Sequence, residues 1–151
     1  MAKREAGVSQ KGALRTADFE RLAAFRYALR RFLYFSEAAA ARVGLTGQHY
    51  QAMLVIRSHA GPDPVTINRF ARELLIRHNS AVGLVDRLVA HSLVARERNP
   101  LDRREVRLRL TAKGEKVLGR LASAHRLKLQ RIGPQIYKNL SELTGAWNRE
   151  R

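Results

Sequence analysis

The chain has no cysteine. That excludes disulfides, thiol redox sensing and every cysteine-bearing zinc site, and it suits a reducing compartment. No apolar run approaches the ~20 residues that a membrane span needs. The basic N-terminus lacks the apolar segment of a secretory signal. We therefore expect a soluble, cytoplasmic protein with no membrane partner. Acidic residues are scarce: 13 Asp and Glu stand against 29 Lys and Arg, a net charge of +16. Such a balance calls for an anionic partner, unless it is only a solvated basic surface. The five histidines, His49, His59, His78, His91 and His125, are scattered. None shares a helix with a second histidine or a carboxylate three or four residues away, as a helical metal site requires. A glycine-rich phosphate loop, paired catalytic carboxylates and a Ser-His-Asp order are also missing. The expectation is a non-enzyme with no cofactor, no metal and no catalytic residues. An apolar fraction of 45% still suffices for a folded core. At 151 residues it makes one domain, or one domain with an oligomerisation arm.

What is present is concentrated between Val65 and Thr111. Thr66 can cap a short helix in which Ile67, Phe70, Ala71 and Leu74 recur at amphipathic spacing. A turn at Leu75 to His78 leads into a second helix, about Asn79 to His91. Its buried face is Ala81, Leu84, Val85 and Leu88, and its opposite face is Asn79, Val82, Gly83 and Asp86. A mid-helix glycine on an open face costs ~1 kcal/mol relative to alanine. It is easier to understand if that face approaches something closely, and Val82 beside it suits a thymine methyl. Ordinary sequence variation explains both residues equally. From Glu105 to Leu110 the chain alternates strictly, so Val106, Leu108 and Leu110 face one way and Arg107 and Arg109 the other. Period two marks a half-buried strand. Val94 and Arg96 begin its partner, and a polar turn opened by Asn99-Pro100 joins them. The hairpin carries Arg96, Arg98, Arg103, Arg104, Arg107 and Arg109. Charges of one sign at that density repel unless a polyanion neutralises them.

The flanks are helical. Residues 1–15 read as a flexible basic tail, either an arm for a DNA groove or a frayed terminus. A helix from about Asp18 to Arg42, closed by Gly44, holds six of the chain's ten aromatic residues. Leu22, Phe25, Leu29, Phe32 and Leu33 mark one face, while Phe19, Tyr27, Tyr34 and Phe35 fall outside it. Either a second subunit covers such a helix or its own chain wraps it. Thr46 caps the next helix, with Leu45 and Tyr50 spaced as a hydrophobic staple. Gly61-Pro62 ends it, and Asp63-Pro64-Val65 is an extended link. After the hairpin Thr111 caps a further helix that Gly133-Pro134 ends or kinks. A last helix carries Ile136, Leu140, Leu143 and Trp147. The boundaries are thus 1–15 for the tail, 16–62 for the N-terminal dimerisation and scaffold helices, 63–111 for the compact core and 112–151 for C-terminal dimerisation helices.

Short helix, turn, helix and basic hairpin make a winged helix-turn-helix. The fold class is mostly α with a small β-hairpin wing, and a helical dimerisation layer stands beside that core. A recognition helix places its first turns against major-groove base edges. Here those turns hold Arg77, His78, Asn79 and Ser80, with Arg87 placed for phosphate. The wing can lay its arginines into the neighbouring minor groove.

Val65 to Gly114 resembles the MarR family of transcriptional regulators. Leu84-Val85-Asp86-Arg87-Leu88 with Leu93-Val94, Asp102-Arg103-Arg104, and Leu108-Arg109-Leu110-Thr111-Ala112-Lys113-Gly114 carry the resemblance. It implies a homodimer that binds a roughly palindromic double-stranded operator, usually as a repressor released by a small aromatic or phenolic effector. It also implies that Asp102 orients Arg104 for the minor groove. Effector candidates where the helical layer meets the DNA-binding lobe are Tyr34, Phe35, His49, Tyr50 and Met53. The same aromatic and thioether set also reads as plain core. Two departures matter. Ser92 stands where the family usually has glycine before Leu-Val, so that turn must tolerate a side chain. The family's cysteine peroxide chemistry is ruled out, since the chain has no cysteine. Two alternatives stay open: an architectural or non-specific nucleic-acid binder, and a winged helix kept as a protein-interaction module.

Overall fold

In a computed structural model, residues 14–148 are described, with side chains described through residue 145. The expectations for the tail up to Ala13 and for the Trp147 side chain lie outside the described residues. The element order is α1 (Thr16–Ala41), α2 (Gly47–Ser58), α3 (Ile67–Glu73), α4 (His78–Ala90), β1 (Val94–Arg98), β2 (Val106–Leu110) and α5 (Ala112–Asn148). Mostly α with one hairpin is thus the observed class. The chain divides into two compact units. One spans residues 33–128; the other comprises residues up to 32 together with 129 onward.

The larger unit is built on Phe70, Met53, Ile56, Leu84, Leu88, Leu93, Leu108, Val65 and Val85, all fully buried. Its helices begin where local chemistry dictates. The Thr46 hydroxyl accepts the His49 N–H, and the His49 ring accepts the Thr46 N–H in return, a reciprocal cap. Leu45 and Tyr50 are both buried, as the staple requires. The Thr66 hydroxyl caps α3 through Arg69 N–H, and the Thr111 hydroxyl caps α5 through Gly114 N–H at 3.0 Å. Gly44 closes α1 at φ +74°, where the Leu45 N–H reaches back to the Ala40 carbonyl.

Two turns close without glycine. Leu75 ends α3 at φ 56° and Ser92 follows α4 at φ 59°. A side chain in the left-handed region costs roughly 1–2 kcal/mol. At Ser92 the surrounding bonds hold the turn: its N–H reaches Val89, the Leu93 N–H reaches Leu88, and its carbonyl accepts the Thr111 hydroxyl at 2.6 Å. Gly114, by contrast, has no room for a Cβ, which would fall on the Leu93 carbonyl. That contact sets α5 directly against the start of β1.

Strands β1 and β2 pair antiparallel, Val94 with Leu110 through Arg98 with Val106. The Asp63-Pro64-Val65 link is more than a spacer. The Val65 carbonyl accepts the Leu108 N–H at 2.9 Å, and Thr66 bridges Arg107, so the link edges the wing sheet.

The smaller unit holds the first part of α1 and the last part of α5. Gly133-Pro134 does not end a helix there; α5 runs unbroken from Ala112 to Asn148 with Pro134 inside. An interior proline removes one hydrogen bond and costs about 3 kcal/mol. The remaining helical bonds on both sides outweigh that local loss. Ile132, Ile136 and Leu143 also keep one half-buried stripe in phase across the proline. In this unit Phe19, Tyr27, Leu129, Tyr137 and Leu140 are exposed. Among the described residues, no helix is long and apolar enough to cross a membrane.

Candidate nucleic-acid interface

Helix α4 presents the expected face. Ala81, Leu84, Val85 and Leu88 are buried. His78, Asn79, Ser80 and Arg87 are exposed, with Val82 and Gly83 half-exposed beside them. The helix starts one residue before the expected Asn79, with Arg77 at the N-cap and no side chain bonded to the first-turn N–H groups. Those donors remain available to an anion in front of the helix. A Cβ on Gly83 would meet only the end of the Arg87 side chain, at 3.8 Å, so nothing among the described residues requires glycine there.

The wing arginines divide into two sets. Arg96 pairs with Asp86 of α4, and Arg109 with Glu97 across the hairpin at 2.7 Å. Arg107 was expected on an outward cationic face. It is instead half-buried, held by Asp63 at 3.2 Å and Glu105 at 3.7 Å. The link that edges the sheet brings Asp63 to it, which the alternation of the strand alone does not reveal. Part of the repulsion anticipated in the hairpin is therefore relieved within the chain, although exposed pairs of this kind contribute little stability. Arg98, Arg103 and Arg104 are exposed and make no ion pair among the described residues. They are the cations left for a polyanion.

The wing tip is ordered by short polar side chains. The buried Asn99 donates to Glu105 Oε2 at 2.6 Å and accepts the Leu101 N–H at 3.0 Å. Asp102 accepts the Arg104 main-chain N–H at 3.0 Å, and its carbonyl accepts the Glu105 N–H. Asp102 thus places Arg104 through the backbone; no side-chain ion pair joins the two among the described residues. Asn99 and Glu105 were not singled out from sequence. Asn-Pro opening a turn was the signal available, since asparagine there commonly bonds the backbone two residues on.

The aromatic candidates separate. Tyr50 and Met53 are buried, and Phe35 is half-buried. Tyr50 stacks on His125 at 4.0 Å between centroids, and Phe35 meets the same ring edge-on at 5.4 Å. The His125 Nδ1–H donates to the Leu121 carbonyl at 2.6 Å, and Nε2 pairs with the Ser36 hydroxyl at 2.8 Å. Burial pushes the Tyr50 hydroxyl above its ordinary pKa. His125 joins this cluster from α5, a contact across 89 positions that no local pattern discloses. His49 is buried too, but serves the α2 cap. Burial holds its pKa below the ordinary 6.5; the charges of His91 and Arg87 add to this and Glu37 opposes it. Tyr34 does not join the set and is 79% exposed.

Against known proteins, residues 43–105 match the model of the MarR family. No curated protein matches the sequence. The fold is similar to that of AbsC, a MarR family transcriptional regulator from Streptomyces coelicolor. The TM-score is 0.73 and the identity 20%, covering 89% of this chain and 92% of that one. It is also similar to RV1404 from Mycobacterium tuberculosis, with TM-score 0.67 and 25% identity over 90% and 97% of the two chains. A mutant of S. aureus MepR bound to an oligodeoxyribonucleotide gives TM-score 0.65 and 18% identity over 85% and 97%. Residues 43–105 of this chain thus match the MarR family model, and the chain carries a fold similar to that of solved transcriptional regulators of that family.

Proposed function

We propose that the protein is a sequence-specific, double-stranded DNA-binding transcriptional regulator of the cytoplasm. In this reading it acts as a homodimer on a roughly palindromic operator, as a repressor, by binding rather than catalysis. One observation carries it: the open first turns of α4, with His78, Asn79 and Ser80, stand in one unit with a wing whose Arg98, Arg103 and Arg104 side chains make no ion pair among the described residues. Base edges and phosphates supply the acceptors those donors need. The oligonucleotide-bound MepR of the same fold supports the assignment. Asp102 holds the main chain of Arg104 and not that of Arg103. Arg104→Ala should therefore weaken operator binding more than Arg103→Ala, by on the order of 1–3 kcal/mol for a lost charge-assisted contact. Gel-shift titration of both variants decides; equal and small effects argue against the wing as reader. The net charge of +16 favours a second reading, an architectural binder of DNA shape and backbone. Equal affinity for operator and random duplex at physiological salt would favour that second reading.

The effector response is proposed at the Phe35, Tyr50 and Met53 cluster beside His49. A small aromatic or phenolic ligand there has to displace the stacking on His125. It can weaken DNA binding only through different affinities for the two states. Thermal-shift hits among phenols and aromatic carboxylates that lower operator affinity would support it. Hits that leave DNA affinity unchanged would remove the switch from the reading.

A further inference from the structure

Two large apolar side chains among the described residues lie almost wholly in water: Leu101 at 95% exposure and Leu75 at 93%. Leu75 sits in the turn between α3 and α4, Leu101 at the tip of the wing. A single exposed leucine is ordinary on a protein surface. Leu101 differs in how it is held. Pro100 precedes it, its N–H is bonded to Asn99 Oδ1, and Asn99 is itself buried and tied to Glu105 by side chain and main chain. On the other side Asp102 closes a turn to Arg104 and Glu105. The chain thus spends several short polar bonds presenting an apolar side chain to solvent. Its neighbours Arg103 and Arg104 are cations with no ion pair among the described residues. An apolar tip followed closely by two cations matches the minor groove, whose rims are anionic and whose base steps accept apolar wedges.

We propose that Leu101 is such a wedge. When the wing enters the minor groove, the arginines bind the rims and Leu101 presses between two base pairs, unstacking them and bending the duplex. This rests on the DNA-binding reading and adds a residue that selects by deformability. The preferred step is pyrimidine–purine, which unstacks most easily. Leu101 carries no charge, so its contribution is independent of salt, unlike that of Arg104.

The test uses the full-length protein and the duplex it selects from a random-sequence pool. Bend angle is read by circular permutation, and affinity is read over a salt series. Leu101→Ala, fully exposed and outside the core, should abolish the bend and lower affinity about tenfold with the salt slope unchanged. Leu101→Met, still a long apolar side chain, should retain both bend and affinity. Arg104→Ala should lower the salt slope. A Leu101→Ala protein that bends and binds the duplex like the wild type overturns the wedge and leaves the DNA-binding reading standing, and so does a straight wild-type complex. A wild-type protein that selects no duplex overturns both.

Discussion

His49 shows how a residue's role follows from its position rather than its chemistry. Its imidazole suggests an effector contact, but its place three residues after Thr46 makes it the second half of a helix cap. The acceptor it offers is the unprotonated Nδ1, at 3.1 Å from the Thr46 nitrogen. Burial, and then the charges of His91 and Arg87, lower its pKa below 6.5 in the folded chain. The unfolded chain therefore binds the proton first as pH falls. Stability from this group is complete above about pH 6.5, declines as pH drops toward the folded value, and levels off below it. Protonation also removes the acceptor the cap uses. The urea midpoint of the wild type should fall more steeply over that window than that of His49→Gln, which keeps an acceptor at the same position without titrating. Identical pH profiles for the two proteins would show that His49 does not couple protonation to folding. Asn99 teaches the same lesson at the wing: a polar residue in a turn is buried because Glu105 and the Leu101 N–H use its bonding capacity.

At the scale of elements, the recognition helix and the wing were legible because each carries a simple period. Ala81, Leu84, Val85 and Leu88 repeat with the helical turn, and Val106, Leu108 and Leu110 repeat every second residue. The open face of α4 divides by chemistry. Asn79, in the first turn, can make paired hydrogen bonds to a base edge, whereas Arg87, in the last turn, suits phosphate. Asn79→Ala should change which operator bases matter. Arg87→Ala should weaken all sequences about equally and reduce the salt slope by about one unit. Competition titrations against single-base operator variants at several salt concentrations separate the two. An unaltered base preference in Asn79→Ala would mean α4 is not read from its first turn. A local breaker can meet a longer pattern. Gly133-Pro134 reads as an end or a kink, and α5 continues through it, which removes the end.

For the molecule as a whole, the exposed aromatics of the smaller unit are the unsettled surface energy. Phe19 and Tyr27 on α1, and Leu129, Tyr137 and Leu140 on α5, are exposed within a single chain. Exposed apolar surface of this kind is what a second copy would remove from water. Tyr137→Arg leaves the folded single chain unstrained, because that side chain is 74% exposed there. In a homodimer held by these helices it should shift the protein toward monomer and weaken palindrome binding more than half-site binding. Sedimentation at micromolar concentration, followed by gel shift on whole and half operators, is the check. A wild-type protein that sediments as a monomer removes the dimer, and with it the palindromic operator.

The sequence by itself determined α1 to α4, the hairpin, the caps at Thr46, Thr66 and Thr111 and the basic character of the wing, because these depend on spacing and on groups within a few residues of one another. The resemblance to the MarR family added that the Ser92 turn must accept a side chain, which the structure meets at φ 59° with bonds from Val89, Leu88 and Thr111. Only the tertiary structure decided which arginines are free. Asp63 reaches Arg107, Asp86 reaches Arg96 and Glu97 reaches Arg109 through the packing of the link against β2, of α4 against β1 and of the two strands together. It alone set His125 against Tyr50 and Ser36. Periodicity shows which face of an element is apolar. Which charge meets which, and which ring fills which gap, depends on how distant segments come together, and no local pattern records that.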